Sequence, residues 1–346
     1  MSTTSVGRIS WVDTAKGIGL ICVILGHLHI RYIDTWVYTF HIPLFFFLSG
    51  VVFSGAKYSF KDFLNKKFKT LIIPYFFLGI GIYLFNAIIL FIEKKPNTEY
   101  INMLKNFLVQ EHYWTIWYLA CLFFVEIGYY LINILLKENK LVVSIVSLII
   151  CIFGLLRYRF GLGSLPWNID VAFVAQFFFH CGYLFKLSES KIKSWYFKFK
   201  SSNYQSYLII LVTLIINFLF AVLCIKLSRS SLDMSVGLYG NEICTFISAF
   251  AGIFMTIKVA DLISCKFLTY MGQNTMVIFG WHSRIVIVGL SYAYDALGIF
   301  QTRSNIFEEA IFAVVSFVLI LLILIPINEL IKKTPCRVLI GIKRKG

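Results

Sequence analysis

Residues 11–30 read WVDTAKGIGLICVILGHLHI, and past Lys16 the run carries no formal charge as far as Ile30. As a helix of about 20 residues it would rise about 30 Å, the thickness of a bilayer's hydrocarbon core. Runs of the same kind recur outward from it, near residues 36–55, 70–92, 116–136, 141–157, 170–187, 206–227, 241–260, 274–294 and 308–331. Only short polar connectors separate them. Barrel strands would instead alternate apolar and polar residues over about ten positions, so long unbroken runs predict helices. The expected fold is an all-α, polytopic integral membrane protein with about ten transmembrane helices, a single membrane-embedded domain over residues 1–346.

Composition agrees. Of the 346 residues 59% are hydrophobic and 14% charged, with a mean hydropathy of +0.81. Soluble domains carry about a quarter charged residues, and no water-facing surface can be built from this mixture. The net charge of +15 could suggest nucleic acid, but its distribution gives a different reading. With the N-terminus inside, 21 of the 32 Lys and Arg fall on inner segments and 9 on outer ones, with Lys16 and Arg284 within spans. Cytoplasmic connectors retain positive charge, so both termini are expected in the cytoplasm of a multi-pass cell-membrane protein, in contact with anionic lipid headgroups and with no nucleic-acid partner. The stretch 1–10 holds one basic residue and no small-residue cleavage site follows the first run, so that run is expected to remain as the first helix. Six of the eight cysteines lie in spans, none forms a CxxC pair, and there is no zinc or haem signature.

Ionisable groups inside a span are costly, so they point to function. At 100° per residue Lys16 lies about 60° from Asp13 and His27 about 20° from Lys16, so the three share one helix face, with Lys16 and His27 about 16 Å apart along the axis. His29 falls nearly opposite. An interfacial Asp13–Lys16 pair and an interhelical bond from His27 are the plainer alternatives. The second run contains YTFHIPLFFFLSG, and the short connector makes the first two spans a hairpin centred near Ile33 that brings His27 and His41 to similar depth. Two neutral imidazoles can act as base and partner for a hydroxyl proton near neutral pH. Next comes KYSFKDFLNKKFKTLIIPYFF, whose lysines at 57, 61, 66, 67 and 69 precede Pro74. That density exceeds what topology alone requires and suits a phosphate-bearing ligand. Glu126, His282 and Arg284 also lie within spans and are candidates for a wet cavity. Trp114 and Trp117, Trp167 with Asp170, and Asp233, Tyr239 and Asn241 fit either an interfacial aromatic belt or a sugar site. Tyr113 belongs to the same group.

The stretches WVDTAKGIGLICVILGH, FHIPLFFFLSG, FLNKKFKTLIIPYF, WTIWYL, GLGSLPWNIDVAF and YMGQNTMVIFGWH, in order over positions 11 to 282, resemble the membrane-bound acyltransferase family 3. The branch that they resemble is that of fucose 4-O-acetylases and exopolysaccharide O-acetyltransferases. The resemblance implies an enzyme that moves an acyl group, usually acetyl, from cytoplasmic acyl-CoA to a glycan hydroxyl on the outer side. Acetyl-CoA is then the acyl donor and no metal is called for. The family's basic residue and histidine of the first helix fall on Lys16 and His27, and its basic motif before the third helix falls on Lys66, Lys67 and Lys69, with lysine where arginine is common. His27 and His41 are the expected catalytic residues, Lys16, Lys66, Lys67 and Lys69 the donor-binding ones. Trp117, Glu126, Trp167, Asp170, Asn274 and His282 are expected to touch the acceptor. His41, Ser49 or Asn274 could stabilise the oxyanion. A transporter or flippase for a glycan or lipid-linked precursor is the competing function, and a non-catalytic partner in polysaccharide assembly a third; the absence of inverted halves argues against transport.

Overall fold

The computed structural model describes residues 10–110, 114–198, 203–228, 233–263, 265–301, 303 and 305–342; Tyr113, Lys200 and both chain ends lie outside them. Among the described residues there is no strand, only one isolated bridge between Asp233 and Leu238. Helix α1 (Ser10–His27) ends where His29 and Tyr32 take left-handed φ angles of 50° and 67° and turn the chain. The second expected span is broken. Its halves are α2 (Ile33–Tyr38) and α3 (His41–Val51), parted at Phe40, whose φ is −138°, and Pro43 sits in the first turn of α3, where no amide partner is lost.

Helix α4 (Phe60–Lys67) is capped by Ser59, which accepts the Asp62 amide, and runs through a π-helical turn at Phe68–Ile72 into α5 (Ile73–Ile92). Pro74 therefore does not interrupt this helix. The widened turn just before it absorbs the amide that proline lacks, and the run Phe60–Ile92 is continuous. The stretch 93–115, expected as a bare connector, holds α6 (Asn97–Val109), which buries Met103 and Phe107. Then follow α7 (Trp117–Leu135), α8 (Lys140–Arg159), α9 (Ile169–Lys198), α10 (Asn203–Ser228) and α11 (Glu242–Leu262). Asn139 and Asn241 cap α8 and α11. Short α12 (Lys266–Gln273) and α13 (Thr275–Trp281) meet at Asn274, a second π-helical turn at His282–Ile287 leads to α14 (Val288–Leu297), and α15 (Ile306–Lys333) closes the bundle.

Among the described residues eight helical runs are long and apolar enough to cross a membrane. The other two expected spans are α1, which carries the polar groups, and the broken α2–α3. These occupy the interior: every residue of α3 is buried, and α1 packs on α3, α11 and α12. The periphery is apolar, as lipid requires. On α10, for instance, Leu211, Ile215, Phe218 and Leu219 all face outward.

Close helix crossings rest on glycine. A Cβ at Gly50 would lie 1.9 Å from the Phe179 carbonyl oxygen, and one at Gly182 1.9 Å from that of Phe47, so α3 and α9 touch backbone to backbone. Gly17 and Gly272 do the same for α1 and α12. Lipid supplies no hydrophobic drive between helices, and such close packing takes its place.

Candidate active site

The bundle has two ends, and the candidate residues divide between them. At the histidine end a cavity of about 410 Å³ is bounded by the last turn of α1, the α2–α3 break, the start of α7 and the second π-helical turn. His27, Tyr38 and His41 line it, with Trp114 and Trp117 on one side and Asp233 and Arg284 on others. The Tyr38 ring stands between the two histidines, 6.2 Å from His27 and 5.0 Å from His41 between centroids. The partner packed directly on His27 is His282, at 5.0 Å.

Backbone carbonyls set the tautomers. His41 donates from Nδ1 to the Val37 carbonyl at 2.6 Å, and His282 donates from Nδ1 to the Phe279 carbonyl at 2.8 Å. Each Nε2 is thereby left as the acceptor nitrogen. His282 is wholly buried, whereas His27 is only half-buried and reaches the cavity. The π-helical turn begins at His282, the kind of local widening found often at functional sites.

His29 corrects the expectation of an opposite face. It lines the same cavity, 3.9 Å from Asp34. Helical-wheel arithmetic holds only while the helix lasts, and α1 ends at His27. Tyr38 is the residue that sequence reasoning missed; its place three residues before His41 is the available signal.

A smaller cavity, about 170 Å³, holds Lys16 with Ser49, Tyr118, Phe45, Thr275 and Phe279 among its walls. Ser49 Oγ and the Tyr118 hydroxyl are 3.2 Å apart. Asp13, one turn before Lys16, accepts a bond from Gln273 of α12 at 2.9 Å. The two cavities are joined by rings: Phe279 lines the Lys16 cavity and lies 6.3 Å from His282, which lies 5.0 Å from His27.

At the lysine end the cations are already engaged. Lys67 forms a short ion pair with Glu126, both largely buried, so these two expected site residues meet each other. Lys66 donates to the Tyr58 hydroxyl at 2.9 Å and lies over its ring, while Lys69 is exposed on the π-helical turn. Asn274 accepts from Lys332 at 2.9 Å and from Asn328 at 3.2 Å, and Glu329 accepts from Lys332 and Tyr270 at 2.7 and 2.6 Å. Asn274 is thus tied to α15, beside Thr275 and Met276 of the Lys16 cavity. Trp167 packs on Tyr75 at 5.1 Å and is not among the residues lining the histidine cavity, and Asp170 lines a separate cavity. The sequence reading also passed over buried His180, whose two nitrogens are both taken, by the hydroxyls of Tyr129 and Ser144 at 2.8 Å each.

The acyltransferase domain of family 3 matches residues 9–328. The nodulation protein NolL of Mesorhizobium japonicum is 30% identical over 149 residues, which is 39% of this chain and 38% of that protein. The match therefore spans well under half the length of that relative. No solved structure matches the chain. A basic residue within the first helix, a histidine cluster and a multi-pass helical bundle stand together under that domain match, and the chain belongs to acyltransferase family 3.

Proposed function

We propose that the protein carries an acyl group, acetyl above all, from cytoplasmic acyl-CoA to a hydroxyl of a surface or secreted glycan. The observation that carries this reading is the line from Lys16 through Phe279 and His282 to His27. It connects a small cationic cavity to a larger polar one. The lysine end is taken as cytoplasmic and the histidine end as external, with both termini inside, on the 21-to-9 distribution of basic residues.

In this reading Lys66 and Lys69 attract the donor's phosphates at the inner rim, and Lys16 extends that cationic path deeper in. His27 takes the proton of the acceptor hydroxyl as its oxygen bonds to the thioester carbonyl carbon. It returns that proton to the sulfur as the carbon–sulfur bond breaks. General-base help of this kind is worth about 10²–10⁴ in rate. His282 is a positioning residue, pinned by two carbonyls and packed behind His27. Lys16, with the Ser49 and Tyr118 hydroxyls that bound the same cavity, would grip the donor's arm on its way to His27. His41, Trp117, Asp233 and Arg284 would hold the acceptor.

The test is acetyl-CoA consumption by the purified protein, without any ion gradient, in the presence and absence of glycan. Glycan-stimulated release of free CoA, with acetyl groups on the glycan by mass spectrometry, is the expected outcome. Glycan movement across vesicles with no CoA release would replace the reading with transport.

A further inference from the structure

The histidine end has a second cavity that this reaction leaves unused. It encloses about 280 Å³ between the last turn of α8, the loop at 161–164, Asp170 of α9 and the turn at 236–239. One wall is common to both cavities: Val236 lines this one and the histidine cavity alike. That wall is firmly built. Asp233 accepts the Ser235 amide and hydroxyl at 2.8 and 2.6 Å, bonds backbone to backbone with Leu238, and Asn168 donates to the Ser235 carbonyl at 3.2 Å.

Two buried polar groups at this cavity have no hydrogen-bond partner. The Tyr239 hydroxyl is one, on a side chain 4% exposed. Arg157 Nε is the other, although the same guanidinium clamps the loop by donating to the carbonyls of Leu162 and Gly163 at 2.7 and 3.2 Å. Buried donors left unmet are costly, and a ligand oxygen would satisfy them. Around them stand one carboxylate, Asp170, and the rings of Tyr158 and Tyr239, set edge to face at 5.9 Å. One acid and one base favour a neutral ligand over an ion. A carboxylate that accepts hydroxyls, a guanidinium that donates to them and aromatic faces for C–H groups together suit a sugar. The volume lies just under the range of about 300–1,000 Å³ usual for small-molecule sites, room for one ring rather than two.

We infer that this cavity is a subsite for the sugar adjacent to the one that is acylated. The inference rests on the glycan-acceptor reading above and sharpens it: the acceptor is a glycan of at least two units, not a free monosaccharide. Binding supplies the test. The detergent-solubilised full chain would be titrated in a calorimeter with base-de-acylated fragments of the producing cell's surface polysaccharide, of one, two and four units. The two-unit fragment is expected to bind at least about tenfold more tightly than the one-unit fragment, with little further gain at four, and Tyr158→Ala and Asp170→Asn should each cut that step below about threefold. Tyr158 is 37% exposed, so its truncation leaves the core intact and guards against a folding artefact. Equal affinity for one and two units, or a step that survives both substitutions, overturns the subsite. A step in a protein that never consumes acetyl-CoA upholds the subsite and sinks acyl transfer; acetyl-CoA-driven acylation without a step does the reverse.

Discussion

The two ends of the bundle are both rich in ionisable groups, yet they are organised in opposite ways. At the lysine end charge is met by charge or hydroxyl: Lys67 with Glu126, Lys332 with Glu329, Lys66 with Tyr58. At the histidine end His27, His29 and His41 line open space. Inside a membrane an ion without a partner is expensive, whereas an imidazole can be neutral and still offer a lone pair. Cations are therefore held by ion pairs or hydroxyls, and imidazoles need no such counterweight. The difference teaches that a cation in such a bundle is built in together with its partner, whereas an imidazole can line open space.

The sharpest way to break this comparison is His27→Ala. Acyl transfer should fall by about 10²–10⁴ while acetyl-CoA affinity in calorimetry is retained, because the imidazole acts on the acceptor proton. A rate near wild type at equal membrane expression would return His27 to a packing role. Next in size is the buried pair. Lys67→Met strands the Glu126 carboxylate and should cost about 3–5 kcal/mol in detergent unfolding, much of it regained in Lys67→Met/Glu126→Leu. If the single variant unfolds like wild type, the pair does not hold the first π-helical turn.

His29→Ala probes the correction made to the helical wheel. As a cavity residue it should reduce acyl transfer measurably but by less than tenfold, or about 1.4 kcal/mol. No change at all would restore it to the opposite face in functional terms. The smallest effects belong to the cations at the rim. Lys66→Ala and Lys69→Ala should each weaken acetyl-CoA binding by about 0.2–1 kcal/mol, and less so at high salt. Affinity that is indifferent to both substitutions and to ionic strength would make the cluster a topology signal alone.

By itself the sequence determined the helices, because a bilayer demands that each apolar run satisfy its own backbone, a local requirement that a run of residues reveals. It also determined that His27 and Lys16 ride one helix, since both lie within the regular part of α1. The hairpin reading brought His41 to the cavity of His27 for the same reason, a short connector between neighbours. Only the tertiary structure decided that His282 packs on His27, from 255 positions away, that Glu126 meets Lys67, and that Trp167 packs on Tyr75. Those pairings depend on the rotation and depth of helices packed through glycine contacts such as Gly17 against Leu268. Composition and spacing carry no record of that rotation, and they lose the thread wherever a helix stops, as at His29, or changes its winding, as at His282.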